Sequence, residues 1–386
     1  MIPYAYQDIK INDIQKVKKV LNSNFLTQGP LVPLFEKKIS KYCGVDYAIA
    51  VNSATSALHI SCLALGLGSN DWLWTSPNSF VASANCGIYC GAKIDFVDID
   101  PKTYNMSISA LTKKLSEAKI AKKLPKIVVP VHFAGQPCDM KKIYRLSKKY
   151  KFKILEDASH AIGARYEKSK IGSCKYSDVT VFSFHAVKII TTGEGGMALT
   201  KDKKLALKIK RISSHGITRD KKLMVKRPID EIWNYQQIEL GFNYRMTDIQ
   251  AALGMSQFKR LDKYVKTRNS IAKFYNNSFK NLNIQLPYIN DNTYSSYHLY
   301  AIRIKKKLTK NKQKQIFDLL RKKKVAANLL YVPIHRHPFY EKKGFKKGDF
   351  PESEKFHEDV VCIPMYPKLT KKQLKVIVSS VKTSIV

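Results

Sequence analysis

From about Tyr47 to Thr200, short apolar runs alternate with stretches of helical periodicity. That alternation predicts a parallel sheet covered by helices. The predicted strands are Tyr47–Val51, Ile94–Val97, Ile127–Val131, Phe152–Leu155, Val179–Ser183 and Met197–Leu199. The stretch Thr247–Phe279 predicts one long helix leaving this unit, and a smaller α/β unit follows, with turn signals at Asn290-Asp-Asn292 and Pro364-Met-Tyr-Pro367. The expected fold class is α/β: a large domain over residues 1–250 and a small C-terminal α/β domain over 251–386. There is no internal repeat or low-complexity linker. Gly66-Leu-Gly68-Ser-Asn-Asp71 lacks a third glycine and follows a helical pattern, so it makes no dinucleotide fingerprint.

Candidate chemistry begins at Ser183-Phe-His-Ala-Val-Lys188-Ile-Ile-Thr-Thr-Gly193-Glu-Gly-Gly196. A buried strand running into a glycine-rich loop would hold the Lys188 amine rigidly while leaving room for a bulky aldehyde cofactor. Desolvation would release its proton, and only the neutral amine attacks a carbonyl. In a chain this rich in lysine, one lysine means little alone. Its partner is Lys153-Ile-Leu-Glu156-Asp157-Ala-Ser-His160, an apolar strand ending in two carboxylates. Pyridoxal phosphate acts as an electron sink only while its ring nitrogen stays protonated, which requires a buried carboxylate beside it; Asp157 is the candidate. The third piece is Val51-Asn52-Ser53-Ala54-Thr55-Ser56, where small residues open a helical pattern after a strand. Free N–H groups there, with hydroxyls of Thr55, Ser56 and Ser183, could bind a phosphate, although an ordinary helix cap reads the same way. Phe80 could stack on a cofactor ring or simply fill core.

With these pieces in place, the chain resembles the sugar aminotransferases of the DegT/DnrJ/EryC1/StrS group, a branch of the fold-type I pyridoxal-phosphate enzymes. The resemblance runs the full length. It includes Leu26-Thr27-Gln28-Gly29-Pro30 with Phe35-Glu36, the Asn52 to Leu58 turn, Glu156-Asp157-Ala-Ser-His160, the lysine segment, and Gly241-Phe-Asn243-Tyr-Arg245-Met-Thr-Asp248-Ile-Gln250. The lysine segment is similar to the branch acting in pseudaminic acid synthesis. The resemblance implies that Lys188 forms the Schiff base, Asp157 meets the pyridine nitrogen, Phe80 stacks on the ring, and Ala54, Thr55 and Ser183 hold the phosphate. It implies a homodimer in which Asn243 reaches the neighbouring site. Tyr6, the segment Leu26, Thr27, Gln28 and Gly29, and Leu330, Tyr331, Val332 and Pro333 match regions that contact the nucleotide sugar. Leu330 stands where relatives often have histidine. The implied reaction moves an amino group from glutamate to C4 of a UDP-linked 4-keto-6-deoxy-N-acetylhexosamine. The same chemistry in a bacillosamine, legionaminic or perosamine pathway stays open, as does a regulatory protein retaining the fold. Lys188 argues against the related sugar dehydrases, which carry histidine in its place; His185, three residues earlier, reads as a packed or solvent-facing histidine.

Composition narrows the class further. The 386 residues are 44% hydrophobic, enough for a large core. A net charge of +38, from 68 Lys+Arg against 30 Asp+Glu, invites a nucleic-acid reading. The lysines are spread through the sequence, without a docking motif or interleaved aromatics, so a solvated basic face is the expectation and no nucleic-acid partner is assigned. No charged-then-apolar leader or bilayer-length apolar run occurs, which points to the cytoplasm and no membrane partner. Seven cysteines at no zinc spacing read as reduced thiols. His335-Arg-His337 offers two ligands without a third, so no metal is expected.

Overall fold

The computed structural model describes residues 1–226, 233–305 and 310–385. Among them, a seven-stranded sheet runs in the order Tyr47–Val51, Gly196–Thr200, Val179–Ser183, Lys153–Asp157, Ile127–Val129, Trp72–Thr75, Lys93–Phe96. Only Gly196–Thr200 is antiparallel to its neighbours. Alternate residues along each strand feed two cores: Trp74, Val128, Ile154 and Phe182 pack on one face, and Leu73, Ile127, Leu155 and Val181 on the other.

The predicted strands are present, and their differences from expectation have local causes. Trp72–Thr75 was not foreseen; its four residues, Trp-Leu-Trp-Thr, are too few to display a period, yet it pairs with two parallel neighbours. The strand starting at Ile127 stops at Val129, where Pro130 has no N–H to give the ladder. The strand starting at Lys153 continues through Glu156 and Asp157, opposite Thr180 and Val181. Both carboxylates find donors there, so they do not end the strand. The single long helix is instead two, Asp248–Phe258 and Leu261–Phe279. Arg260 leaves helical geometry between them, its guanidinium 2.6 Å from the buried Asp13 carboxylate and its Nε donating to the Tyr264 hydroxyl at 2.6 Å.

The helix Leu261–Phe279 starts in the first core with Leu261 and Tyr264 and ends in a third core with Tyr275 and Phe279. The third core also packs Tyr300, Ile302, Val361, Ile377 and Val381 around the antiparallel strands Ile284–Gln285, Tyr300–Ile304 and Val360–Ile363. Ile2, from the far end of the sequence, joins it and donates its N–H to the Lys324 carbonyl at 2.7 Å. Arg268, buried, donates to the carbonyls of Tyr297, His298 and Met365 and so fixes the crossing between the cores. No helix among the described residues is long and apolar enough to cross a membrane.

Asp248, fully buried at the start of its helix, holds the Leu26 to Gly29 segment. Its carboxylate accepts from the N–H groups of Gly29 and Leu31, each at 2.7 Å, and its own N–H donates to the Leu26 carbonyl at 2.9 Å. Asp248→Ala leaves two N–H groups without their charged acceptor, so a loss of about 3 kcal/mol is expected. The check is the urea midpoint at unchanged slope; an unmoved midpoint would show that water replaces the carboxylate.

Candidate active site

Strand ends and one helix start converge on a cavity of about 400 Å3 at the carboxyl edge of the parallel strands. It is lined by Ser53, Ala54 and Thr55, by Ser79 and Phe80, by Asp157 and His160, by Ser183 and Lys188, and by Tyr331. Open α/β sheets place ligands at this edge because strands end there and loops can diverge.

Tyr47–Val51 delivers the chain to Asn52 and Ser53. Ser53 caps the helix Ala54–Ala64 by accepting the Ser56 N–H at 3.0 Å, and the Ser56 hydroxyl donates to Asn52 Oδ1 at 2.6 Å. Ser56 is therefore committed within the cap and does not line the cavity, whereas the N–H groups of Ala54 and Thr55 lie in the first turn, where a helix offers no internal acceptor. Gly196 allows this turn to lie against the sheet: a Cβ on it would stand 2.5 Å or less from the backbone of Ser53 and Ala54.

Strand alternation separates the two adjacent carboxylates. Asp157 faces the cavity and accepts from the Ser83 hydroxyl at 2.6 Å and the Ser159 N–H at 3.1 Å. Glu156 points to the opposite face, 2.7 Å from His132 Nε2, with the Thr180 hydroxyl at 2.9 Å. Burial opposes charge on both partners of that pair. The Cys138 N–H donates to His132 Nδ1 at 3.0 Å, which places the ring proton on Nε2, where it is given to Glu156; that bond and the Ser177 and Thr180 hydroxyls keep Glu156 below the usual carboxylate range.

Lys188 sits in the connection between Val179–Ser183 and its antiparallel neighbour Gly196–Thr200. That connection is pinned by backbone bonds from Phe184 to Gly195 and from Thr192 to Phe184, with Gly193 at φ +81°. The lysine itself is only partly covered. Desolvation of its amine brings its pKa down from the ordinary 10.5 to about 8, partly offset by the Asp157 carboxylate, which raises it. The fold therefore disfavours the charged amine below about pH 8, and that penalty fades as pH rises toward 10.5. His160 is held neutral, well below its usual range, by burial and then by the charge of Lys188.

The cavity thus gathers Ala54, Thr55, Phe80, Asp157, Ser183, Lys188 and Tyr331. Phe80 is 60% exposed above it, which leaves a ring face free. His185 is at the rim, 3.7 Å from Glu194. Other residues singled out in the sequence do not line it. Asn243 is exposed on its own chain. Tyr6 packs against Tyr366 at 6.1 Å, Leu26 to Gly29 lie on Asp248, and Leu330 packs toward Phe133 and Phe356. Val332 and Pro333 line a separate groove with Asn328 and Arg336. His335 pairs with Glu354 at 2.8 Å, and among the described residues no group of three or more potential ligands gathers for a metal. Sequence reasoning missed Ser83, which holds Asp157, and the role of His160 beside Tyr331. No local pattern marks a serine 74 positions away as a carboxylate donor.

A mostly parallel sheet with a buried carboxylate and a cavity-facing lysine at its carboxyl edge defines the class of fold-type I aminotransferases. Within that class, the chain belongs to the DegT/DnrJ/EryC1/StrS aminotransferase family, whose profile matches residues 7–382. It is 36% identical to the spore coat polysaccharide biosynthesis protein SpsC of Bacillus subtilis, over 99% of this chain and 96% of that protein. It is 35% identical to the UDP-4-amino-4,6-dideoxy-N-acetyl-beta-L-altrosamine transaminase of Campylobacter jejuni, over 97% and 95%. Among solved structures, Helicobacter pylori PseC, an aminotransferase involved in the biosynthesis of pseudoaminic acid, superposes with a TM-score of 0.89 at 31% identity, covering 100% of this chain and 99% of that one.

The lysine acidity is directly measurable. Reductive alkylation of the cofactor-free protein by a small aldehyde, resolved by peptide mass, should show Lys188 labelling rising through a midpoint near pH 8, below that of surface lysines. Asp157→Asn removes the charge that raises the pKa, so the midpoint should move lower. A midpoint near 10, or an upward move in the variant, would contradict this electrostatic account.

Proposed function

We propose that this chain is a pyridoxal-phosphate aminotransferase that carries an amino group from glutamate to C4 of a UDP-linked 4-keto-6-deoxy-N-acetylhexosamine, giving the 4-amino sugar of pseudaminic acid synthesis. The observation that carries the reading is the meeting of the Lys188 amine and the Asp157 carboxylate in one cavity whose other end is a helix start. Those residues suit the cofactor. A buried carboxylate answers a protonated ring nitrogen, the Ala54 and Thr55 N–H groups with the Ser183 hydroxyl suit a phosphate, and the open face of Phe80 suits a flat ring.

When bound, pyridoxal phosphate supplies an aldehyde that accepts and returns the amino group, and a ring that takes up negative charge. The protein's own contribution lies with Lys188. An amine titrating near pH 8 has both forms available near neutrality, so it can remove a proton from the amino donor's α-carbon and deliver one to C4 of the sugar. Asp157, held by Ser83 and Ser159, keeps its charge directed into the cavity.

The sugar assignment draws on the Campylobacter and Helicobacter relatives. A homodimer accounts for the exposed Asn243 and for the apolar surface at Phe25, Leu26 and Leu240, which are 53%, 47% and 77% exposed. In that arrangement Asn243 and the Leu26 to Gly29 segment serve the neighbouring cavity. The lysine-rich surface favours capture of a diphosphate-linked substrate.

Two outcomes test the proposal. Lys188→Ala should still take up the cofactor, seen by absorbance, and should lose turnover by at least about a thousandfold, since the proton carrier is gone; full activity would end the mechanism. Wild-type protein in the pyridoxamine form should aminate the L-arabino UDP-4-keto sugar and leave its D-xylo C5 epimer unreacted. Reaction with only the D-xylo sugar would move the enzyme to a bacillosamine or legionaminic pathway, and reaction with neither would remove the substrate class.

A further inference from the structure

At the opposite edge of the seven-stranded sheet, the turns that enter Lys153–Asp157 and Val179–Ser183 and the turn that leaves Gly196–Thr200 enclose a second cavity of about 780 Å3. It shares no lining residue with the Lys188 cavity. Seven lysines line it with two carboxylates, Asp178 and Asp202, and both carboxylates are already committed. Asp178 accepts from the Lys153 ammonium at 3.0 Å and from the Ile154 N–H at 2.8 Å. Asp202 caps the helix Lys203–Ile212, accepting the N–H groups of Lys204 and Leu205 at 2.8 and 3.1 Å. Lys175 has Glu167 at 3.6 Å, and the Lys148 ammonium lies 4.8 Å from the centre of the Tyr144 ring. Among the described residues, Lys151, Lys201, Lys204 and Lys208 pair with no carboxylate. The hydroxyls of Ser147, Ser177 and Thr200 are turned to the Tyr144 carbonyl, to Glu156 and to the Asp178 carbonyl, so the lysines are the donors left for an occupant.

Four unanswered ammonium groups in a cleft differ from the same groups spread over a surface. On a convex face they splay apart into water, whereas the walls of a cleft make them converge and concentrate their field. Lys204 and Lys208 stand one helical turn apart, a spacing at which like charges repel. An anion entering the cleft relieves that repulsion, and its charges must lie close together to meet four ammonium groups within one small-molecule volume, ordinarily about 300–1,000 Å3. The aromatic side chains give a nucleobase no platform. The Tyr144 and Tyr176 rings pack on each other at 5.8 Å, and each already has a lysine ammonium beside it, at 4.8 and 5.1 Å.

We propose that this cleft binds a condensed phosphate chain of at least three phosphates, whose oxygens are held by the ammonium groups of Lys151, Lys201, Lys204 and Lys208. Recognition rests on the phosphates, so the chain is bound whether it is free or carried by a nucleoside.

Calorimetric titration of the pyridoxal-phosphate-loaded protein with inorganic tripolyphosphate tests this, at about 0.15 M salt, where exposed charges are screened beyond about 8 Å. One tripolyphosphate should bind per chain. Replacing three of the four lysines together, Lys201→Gln, Lys204→Gln and Lys208→Gln, should weaken binding at least about tenfold. Arginine at the same three positions should retain it, which separates the charge from any effect on folding. Lys371→Gln, Lys372→Gln and Lys375→Gln remove the same charge from exposed positions of the helix Lys371–Ile385 and should change binding less than about threefold. Equal losses in the two glutamine variants, or no binding at this salt, would reduce the cleft to part of a diffuse basic surface and overturn the proposal. Metal-free ATP separates the two sources of the chain: affinity equal to that of tripolyphosphate admits a nucleotide carrier, and weaker binding identifies the free chain. Tighter binding of ATP by more than about tenfold would place recognition on the nucleoside. Tighter binding of a short oligothymidylate would make the face a nucleic-acid surface, and either result would overturn the proposal.

Discussion

The close approach of Gly196 to the backbone of Ser53 and Ala54 is the constraint on which the site depends. The antiparallel strand Gly196–Thr200 lies between two strands that both point their carboxyl ends at the cavity. It can enter there only because residue 196 has no side chain to drive off the helix start. The insertion brings the lysine-bearing connection alongside the first turn of Ala54–Ala64. An amine, a carboxylate and a set of free N–H groups, from distant parts of the chain, thereby share about 400 Å3. Without that strand, Tyr47–Val51 and Val179–Ser183 would lack the pairing that sets their spacing.

Within this frame the electrostatics follow from which face of a strand each charge occupies. Glu156 and Asp157 are covalent neighbours in opposite circumstances. One accepts a hydrogen bond from His132 in the interior, and the other is held by a hydroxyl and an N–H with its charge toward the cavity. Removing Glu156 would leave the buried His132 N–H without its acceptor, an effect on stability. Removing Asp157 would alter the acidity of Lys188, an effect on chemistry.

Much of the sheet was legible because its buried strands are continuous apolar runs with charged or small residues between them; Tyr47–Val51 and Val179–Ser183 have the limits the sequence implied. Trp72–Thr75 was not legible, because four residues carry no period. Nor was the break at Arg260, which a distant carboxylate on Asp13 engages and no local helix breaker announces. The residues around Lys188 were readable because each stands at a strand end followed by small residues. The alliance of His160 with Tyr331 spans 171 positions, and nothing local to either residue signals the other. Tyr6, Leu26 and Val332 lie outside the cavity of their own chain, and a single sequence does not say across which surface such residues would act.

The cavity draws its walls from residues as far apart in the chain as Ser53 and Tyr331, the latter packed against the cluster of Phe133 and Phe356. During synthesis, Lys188 and Asp157 leave the ribosome long before Tyr331 does. Until the fold buries it, the amine is an ordinary hydrated ammonium, mostly protonated near neutrality and correspondingly slow toward aldehydes. Its heightened reactivity is thus acquired with tertiary structure, so the acidity of this one amine is a built-in reporter of folding.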